Sequence, residues 1–241
     1  MAPAIRPEIR VFEDAEAMSL HAAGLFRSLS EDAIAQKGKF RAALSGGTTP
    51  LRFYSLLATE PYRTCIEWKC VDIFIGDERC VPPDHRDSNF GAISEVLLSH
   101  VPANVHRIEG AMAPRDAAIS YEGELRRVFG TGKGIPVFDL MLLGLGEDGH
   151  TASIFPGTDT AVKTERLAVE VHPECIRRPR VTLTIPVINS ARKVVFLVTG
   201  RGKASIIKEV IEGKEGYPAS LVAPTTGRAI WLLDRAAASL L

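Results

Sequence analysis

The chain has 241 residues, 46% hydrophobic and 24% charged, and its 29 Lys and Arg balance 29 Asp and Glu to a formal net charge of zero. That composition supplies an ordinary buried core and excludes a disordered chain. No basic run exceeds a pair (Arg126-Arg127, Arg177-Arg178), so the clustered cations that displace phosphate counterions from nucleic acid are missing and no nucleic-acid partner is expected.

The cysteines, Cys65, Cys70, Cys80 and Cys175, form no CxxC and no zinc-spaced group with histidine, so no metal site is expected. They read as reduced, mostly buried thiols. The start, Met1-Ala-Pro-Ala-Ile-Arg-Pro-Glu8, carries no apolar targeting region, and no segment approaches bilayer-spanning length. The expectation is a cytoplasmic chain with no membrane partner.

In chain order, Glu13 to Leu29 has the apolar spacing of an amphipathic helix. Phe40 to Leu44 reads as a strand ending in Ser45-Gly-Gly-Thr-Thr-Pro50, followed by a helix over Leu51 to Thr59 with Thr49 as its cap and Pro50 at its first position. Val71 to Ile75 is a strand running into Gly76-Asp-Glu-Arg79. Ser88 caps a helix from Asn89 to about His100, and Arg115 to Phe129 is a helix closed by the Gly-rich run 130–134. Residues 137–143 form a strand ending in Gly144-Leu-Gly-Glu-Asp-Gly-His150. Strands follow at 167–171 and 181–185, with no helix between them, so an antiparallel pair is expected there. Lys193 to Val198 is a strand leading through Thr199-Gly-Arg-Gly-Lys203 into a helix to about Glu212. Ala229 to Leu233 is the last strand, before a short Ala-rich helix. This alternation implies a single α/β domain over 1–241 with a doubly wound, mainly parallel sheet, helices on both faces and a small antiparallel addition.

Ligands of such sheets sit beyond the carboxyl ends of the strands, where four of these strands end in unusual chemistry. Ser45, Gly46, Gly47, Thr48 and Thr49 offer backbone N–H groups, hydroxyls and a following helix start to an oxyanion; they also suit a plain strand-to-helix turn. Lys203, in the first turn of a helix, opposes the helix dipole unless an anion is bound there, and otherwise is a solvated lysine. Asp77, Glu78 and Arg79 at the end of an apolar strand read either as an ion pair or as a carboxylate orienting a reacting group beside a charge-stabilising guanidinium. Ser88 and Asn89 offer hydroxyl and amide donors, or a helix cap.

The fourth loop contains GxGxxG at Gly144, Gly146 and Gly149, the pattern of a dinucleotide turn. Glu147 and Asp148 stand where a pyrophosphate would lie, and two carboxylates there oppose it. Pro156-Gly157 then breaks the chain before a helix can form. The loop instead frames His150, the best general base among six histidines, with carboxylates near enough to fix its tautomer. His21, His85, His100, His106 and His172 lack clustered partners and read as surface or capping residues. No GxSxG elbow and no Cys–His pair is present, which favours activation of water over a covalent intermediate.

With these loops assembled, the sequence resembles the glucosamine-6-phosphate isomerase/6-phosphogluconolactonase superfamily, and its lactonase branch in particular. The matching segments are Leu44-Ser-Gly-Gly-Thr-Thr-Pro50, Gly76-Asp-Glu-Arg-Cys-Val-Pro82 with Asp87-Ser-Asn89, Leu142 to Pro156, Arg180-Val-Thr-Leu-Thr184, and Gly200-Arg-Gly-Lys-Ala204. The resemblance implies a Rossmann-like fold and a metal-independent, cofactor-free cytosolic hydrolase. Its expected reaction is the opening of 6-phospho-D-glucono-1,5-lactone to 6-phosphogluconate, the second step of the oxidative pentose phosphate pathway. It implies phosphate binding by Ser45 to Thr49, Lys203 and Arg180, and His150 as base with Asp148 beside it. Asp77 and Arg79 are then expected around the lactone, with Glu78, Ser88, Asn89, Gly146 and Gly149 completing the substrate-contacting set. The expected assembly is a monomer or weak dimer.

Two other readings remain at this point. The superfamily's aminosugar-phosphate deaminase branch shares the loops but carries a Glu five residues after the His, where this chain has Phe155. A non-catalytic sugar-phosphate sensor would need an attached DNA-binding segment, and the roughly 35 residues before the first predicted strand are too few and not basic.

Overall fold

A computed structural model describes residues 7–157, 161–162, 165–172 and 178–241. Cys175 and Arg177 lie outside the described residues. The elements are β1 (Glu8–Phe12), α1 (Ala15–Lys37), β2 (Phe40–Leu44), α2 (Leu51–Leu57), α3 (Tyr62–Cys65), β3 (Val71–Ile75), β4 (Asp77–Arg79), α4 (Asn89–Ile93), β5 (Asn104–His106), α5 (Pro114–Phe129), β6 (Leu140–Leu143), β7 (Ala168–Val171), β8 (Arg180–Leu183), α6 (Ile185–Ser190), β9 (Lys193–Val198), α7 (Ala204–Ile211) and β10 (Arg228–Asp234).

Seven strands form one sheet in the order β1-β10-β9-β6-β2-β3-β5, every pair parallel, and β4-β8-β7 form a small antiparallel sheet. From β2 the chain winds outward through β3 to β5, and from β6 it winds the other way through β9 to β10. The strand order therefore reverses between β2 and β6, the switch point at which such sheets open a crevice.

Strands buried on both faces read as unbroken apolar runs because helices cover each side. Alternation then divides their side chains between two cores. Ala42, Leu44, Ile73, Ile75, Leu140, Leu142, Val195 and Leu197 pack with Phe26 of α1 and Phe53 of α2. Their neighbours Ala43, Phe74, Met141, Leu143, Val194, Phe196 and Val198 pack with Tyr121 of α5, Ile207 of α7 and the small sheet.

Several boundaries differ from the sequence expectation. Helix α1 runs past Leu29 to Lys37 because small residues, Ser30 and Ala33, carry its buried stripe onward; the Ser30 hydroxyl is absorbed by the Arg27 carbonyl at 2.7 Å. Thr49 does not cap α2. Pro50 occupies the cap position without a side-chain bond, and the Thr49 hydroxyl lies 3.3 Å from that of Thr199. The strand expected over 137–143 is regular only from Leu140. Beyond β10 the chain makes turns rather than an Ala-rich helix, and the buried Asp234 carboxylate takes the Ala237 N–H at 2.7 Å. Strand β1, unforeseen, pairs along β10 at the sheet edge.

The consequential difference is at Gly76. Its N–H still donates to Leu44 of β2 at 2.8 Å, while its carbonyl accepts from Leu183 of the small sheet at 2.9 Å. The chain thus changes sheets at this residue, and the expected loop Asp77–Arg79 is a strand.

Candidate active site

The loops that follow β2, β3, β6 and β9 meet in one cleft of about 280 Å³. Its lining includes Ser45 to Thr49, Asp77, Arg79, Asn89, Gly146, His150, Arg180 and Lys203.

The cradle after β2 is shaped by its neighbours. Tyr54 of α2, fully buried, donates its hydroxyl to the Ser45 carbonyl at 2.8 Å, leaving the Ser45 hydroxyl buried and without a protein partner. Such a group requires a ligand or water to satisfy it. Gly46 lies so close to Asn89 that a Cβ there would fall 1.9 Å from Oδ1, so the side chain must be absent for Asn89 to reach the cleft. Asn89 is itself tied down by donating Nδ2 to the Asp77 carbonyl at 2.7 Å.

Because Asp77–Arg79 is a strand, residues i and i+2 share a face. Asp77 and Arg79 line the cleft, and Glu78 points the other way. Glu78 is 2% exposed, and its carboxylate accepts the N–H groups of Arg79, Asn89 and Phe90 at 2.7–2.8 Å and the Ser88 hydroxyl at 3.1 Å. Burial pushes its pKa up despite those donors, with the Asp77 charge adding to the rise. Glu78 and Ser88 therefore do not face the cleft as the expected contact set has them; they build the start of α4, where the Ser88 hydroxyl also accepts from Gly91 N–H at 3.0 Å. Of the two readings of this segment, the ion pair with Arg79 does not form; its Nη1 donates instead to the Asp87 carbonyl at 2.7 Å.

Asp77 is 5% exposed and accepts the hydroxyl of Ser153, itself fully buried, at 2.6 Å. Arg180 Nη1 approaches the same hydroxyl at 3.5 Å. Ser153 thus ties β4, β8 and the turn after His150 beneath the cleft. Sequence reading passed over it, although it stands three residues after the histidine. Between them Ala152 lines the cleft with φ +49°, a left-handed conformation that a non-glycine holds only when its surroundings demand it.

His150 Nδ1 lies 2.6 Å from Asp148 Oδ1, and the same oxygen accepts the His150 N–H at 3.1 Å. A carboxylate on Nδ1 keeps the proton on that nitrogen and leaves the Nε2 lone pair available as a base. Partial burial raises the Asp148 pKa, but the His150 backbone N–H, the electrostatic pull of its imidazole and its ring N–H outweigh burial, so the net shift is downward. Gly146 must lack a side chain, since a Cβ would meet His150 Nδ1 at 2.1 Å. Phe155 packs on the imidazole at 4.6 Å between centroids, and the Arg180 guanidinium carbon lies 5.6 Å from the Phe155 ring.

Lys203 sits in a 3-10 turn at Arg201–Lys203, just before α7. The turn is anchored by Asp234 at the end of β10, whose carboxylate oxygens take the Gly200 N–H at 3.0 and 3.1 Å. Gly149 and Asp148 support the His150 turn without lining the cleft. The chemistry gathered here is an anion cradle, cations in the same cleft, an aspartate-oriented imidazole and a second, serine-held carboxylate.

Away from the cleft, two expectations fail. Cys65 is exposed, and Cys70 and Cys80 are half-buried rather than buried; burial beside Glu78 pushes the Cys80 thiol up to about 11, which makes it a poor nucleophile. His106 does have clustered partners, bonding Glu124 at 2.6 Å with Asp72 at 3.8 Å.

Comparison with known proteins gives the following. The family model for glucosamine-6-phosphate isomerases/6-phosphogluconolactonase matches residues 13–231. A 6-phosphogluconolactonase of Synechocystis is 43% identical over 213 residues, covering 85% of this chain and 86% of that protein. One from Rattus norvegicus is 40% identical over 218 residues, covering 85% and 82%. The solved 6-phosphogluconolactonase of Trypanosoma cruzi superposes with a TM-score of 0.88 at 30% identity, covering 99% of this chain and 98% of that one.

Proposed function

The chain belongs to the glucosamine-6-phosphate isomerase/6-phosphogluconolactonase family, and from that premise we propose that it hydrolyses 6-phospho-D-glucono-1,5-lactone to 6-phosphogluconate. The observation that carries this reading is the joining of a hydroxyl- and glycine-rich anion cradle, Lys203 and an Asp148-oriented His150 in one cleft of sugar-phosphate size.

In this reading the phosphate enters the Ser45–Thr49 cradle, where the unpartnered Ser45 hydroxyl gains an acceptor and Lys203 and Arg180 supply charge. His150 Nε2 takes a proton from water as the water attacks the C1 carbonyl. Arg79 and nearby N–H groups stabilise the oxyanion of the tetrahedral intermediate. Its collapse breaks the C1–O5 bond, and the imidazolium returns the proton to the departing O5 alkoxide. Asp148 holds the imidazole upright in both half-reactions. Asp77, kept in place by Ser153 and Asn89, accepts hydrogen bonds from the sugar hydroxyls. Phe155, 4% exposed against the imidazole, has no proton to exchange, so the cleft lacks the second acid that the deaminase branch carries at that position.

The test is direct. Lactone formed in place by a glucose-6-phosphate dehydrogenase opens spontaneously, and added protein should accelerate that opening in proportion to its concentration. A rate equal to the uncatalysed background would refute the assignment.

A further inference from the structure

Asp148 and His150 ride on the same turn, so the 2.6 Å bond between them fixes the imidazole relative to the turn but not the turn relative to the cleft. Something outside the loop must do that. Between α7 and β10 the chain passes through residues 217–221, and this segment meets the His150 turn at Gly149. Buried Ala219 donates its N–H to the Gly149 carbonyl at 3.1 Å. Tyr217 lies against Gly149 so closely that a Cβ built there would fall 2.4 Å from ring Cδ1. Gly149 has φ +79°, so the ring covers the one residue whose left-handed conformation turns the chain toward His150.

The ring is secured from its far side. The Tyr217 hydroxyl donates to the Glu209 carboxylate on α7, which also takes Lys214 Nζ at 3.0 Å. Helix α7 starts immediately after Lys203. One short helix therefore carries Lys203, one of the cleft's cations, before its first turn and the carboxylate that steadies the Tyr217 ring near its last.

We propose that Tyr217 is a positioning residue for His150: with the Ala219 N–H, its ring holds Gly149 in the conformation that directs the imidazole into the cleft. The proposal rests on the reading of His150 as the base. A displacement of a reacting group by about 1 Å can cost on the order of 100-fold in rate, which sets the scale of the expected effect.

The test uses the full chain. Tyr217→Ala should lower kcat by about tenfold or more while leaving KM within about twofold, since the cradle and Lys203 are untouched. Tyr217→Phe, which keeps the ring over Gly149 and loses only the bond to Glu209, should recover most of kcat. If the alanine variant does not fold, Tyr217→Val carries the same comparison. A folded Ala or Val variant with wild-type kcat would overturn the proposal, as would a loss that Tyr217→Phe fails to rescue. An activity-independent readout separates this from the assignment of the reaction. In the wild type, proton NMR should show close contacts between the His150 and Phe155 rings, and Tyr217→Ala should weaken them while the tautomer protonated on Nδ1, fixed by Asp148, persists. Unchanged contacts overturn the positioning role even if the lactone proves not to be the substrate.

Discussion

At the scale of single residues, the site divides into groups that meet the substrate and groups that hold them. His150 and Lys203 illustrate the first. Replacing His150 with Ala removes a positioned general base, and kcat should fall by about two to four powers of ten; an unchanged kcat in the alanine variant would remove His150 from the role of base. Lys203→Ala takes away charge at the phosphate end, remote from the reacting carbonyl. Steady-state kinetics should therefore show KM rising more than kcat falls, and the opposite split would place the lysine at the reaction centre. Ser153 and Asn89 belong to the second group. They fix Asp77 through its side chain and its backbone respectively, which leaves that buried carboxylate little freedom to turn away.

At the scale of elements, strand β4 and helix α4 form one unit stitched by Glu78. Its carboxylate satisfies three backbone N–H groups, two of them at the start of α4. Leaving buried donors without an acceptor costs about 1–3 kcal/mol each. Truncation in Glu78→Ala should then cost at least about 2–4 kcal/mol, or roughly 4–16 °C of Tm at 2–4 °C per kcal/mol for a chain of this size. Thermal denaturation of the purified variant measures it, and an unshifted Tm would mean that water replaces the carboxylate fully. The raised pKa of Glu78 carries its own pH sign. Its folded value lies above the unfolded one, so its contribution to stability is complete below the ordinary carboxylate range and diminishes as pH rises through the raised value.

At the scale of the whole molecule, the cleft is one end of the sheet and an ion network lies toward the other. His106 of β5 stacks on Phe74 at 4.4 Å, bonds Glu124 of α5, and stands near Asp72 at the start of β3. Burial alone would lower the His106 pKa, but the neighbouring carboxylates of Asp72 and Glu124 outweigh burial and raise it above 6.5. The folded value exceeds the unfolded one, so this stabilisation is fully present below the ordinary imidazole pKa and is lost as pH climbs through the raised value. Asp72 and Glu124 are shifted down: Asp72 by partners that outweigh its burial, Glu124 first by the Arg127 bond. Their contribution is present above the ordinary carboxylate range and fades as pH falls through the lowered values. Tm measured against pH should decline on the alkaline side of the imidazole range, and His106→Gln should flatten that limb. An equal decline in the variant would assign it to other groups.

What the sequence determined by itself is local chemistry. The apolar runs at 40–44, 71–75 and 193–198 announce strands covered on both faces, because such a run has no side to offer water. Glycines, hydroxyls and the Asp148–His150 pair announce loops that bind and react, because φ preference, donor supply and tautomer control are properties of neighbouring residues. Only the tertiary structure decided what depends on partners distant in the chain. Strand β1 exists because β10 lies beside it, more than two hundred residues later. Gly76 moves the chain from one sheet to another, and the alternation of the new strand then sends Asp77 and Arg79 into the cleft and Glu78 beneath α4. The His106 network and the Tyr217 ring over Gly149 have the same origin. Neither leaves a periodic mark in the sequence, because each contact joins residues whose spacing is set by packing and not by the repeat of a helix or a strand.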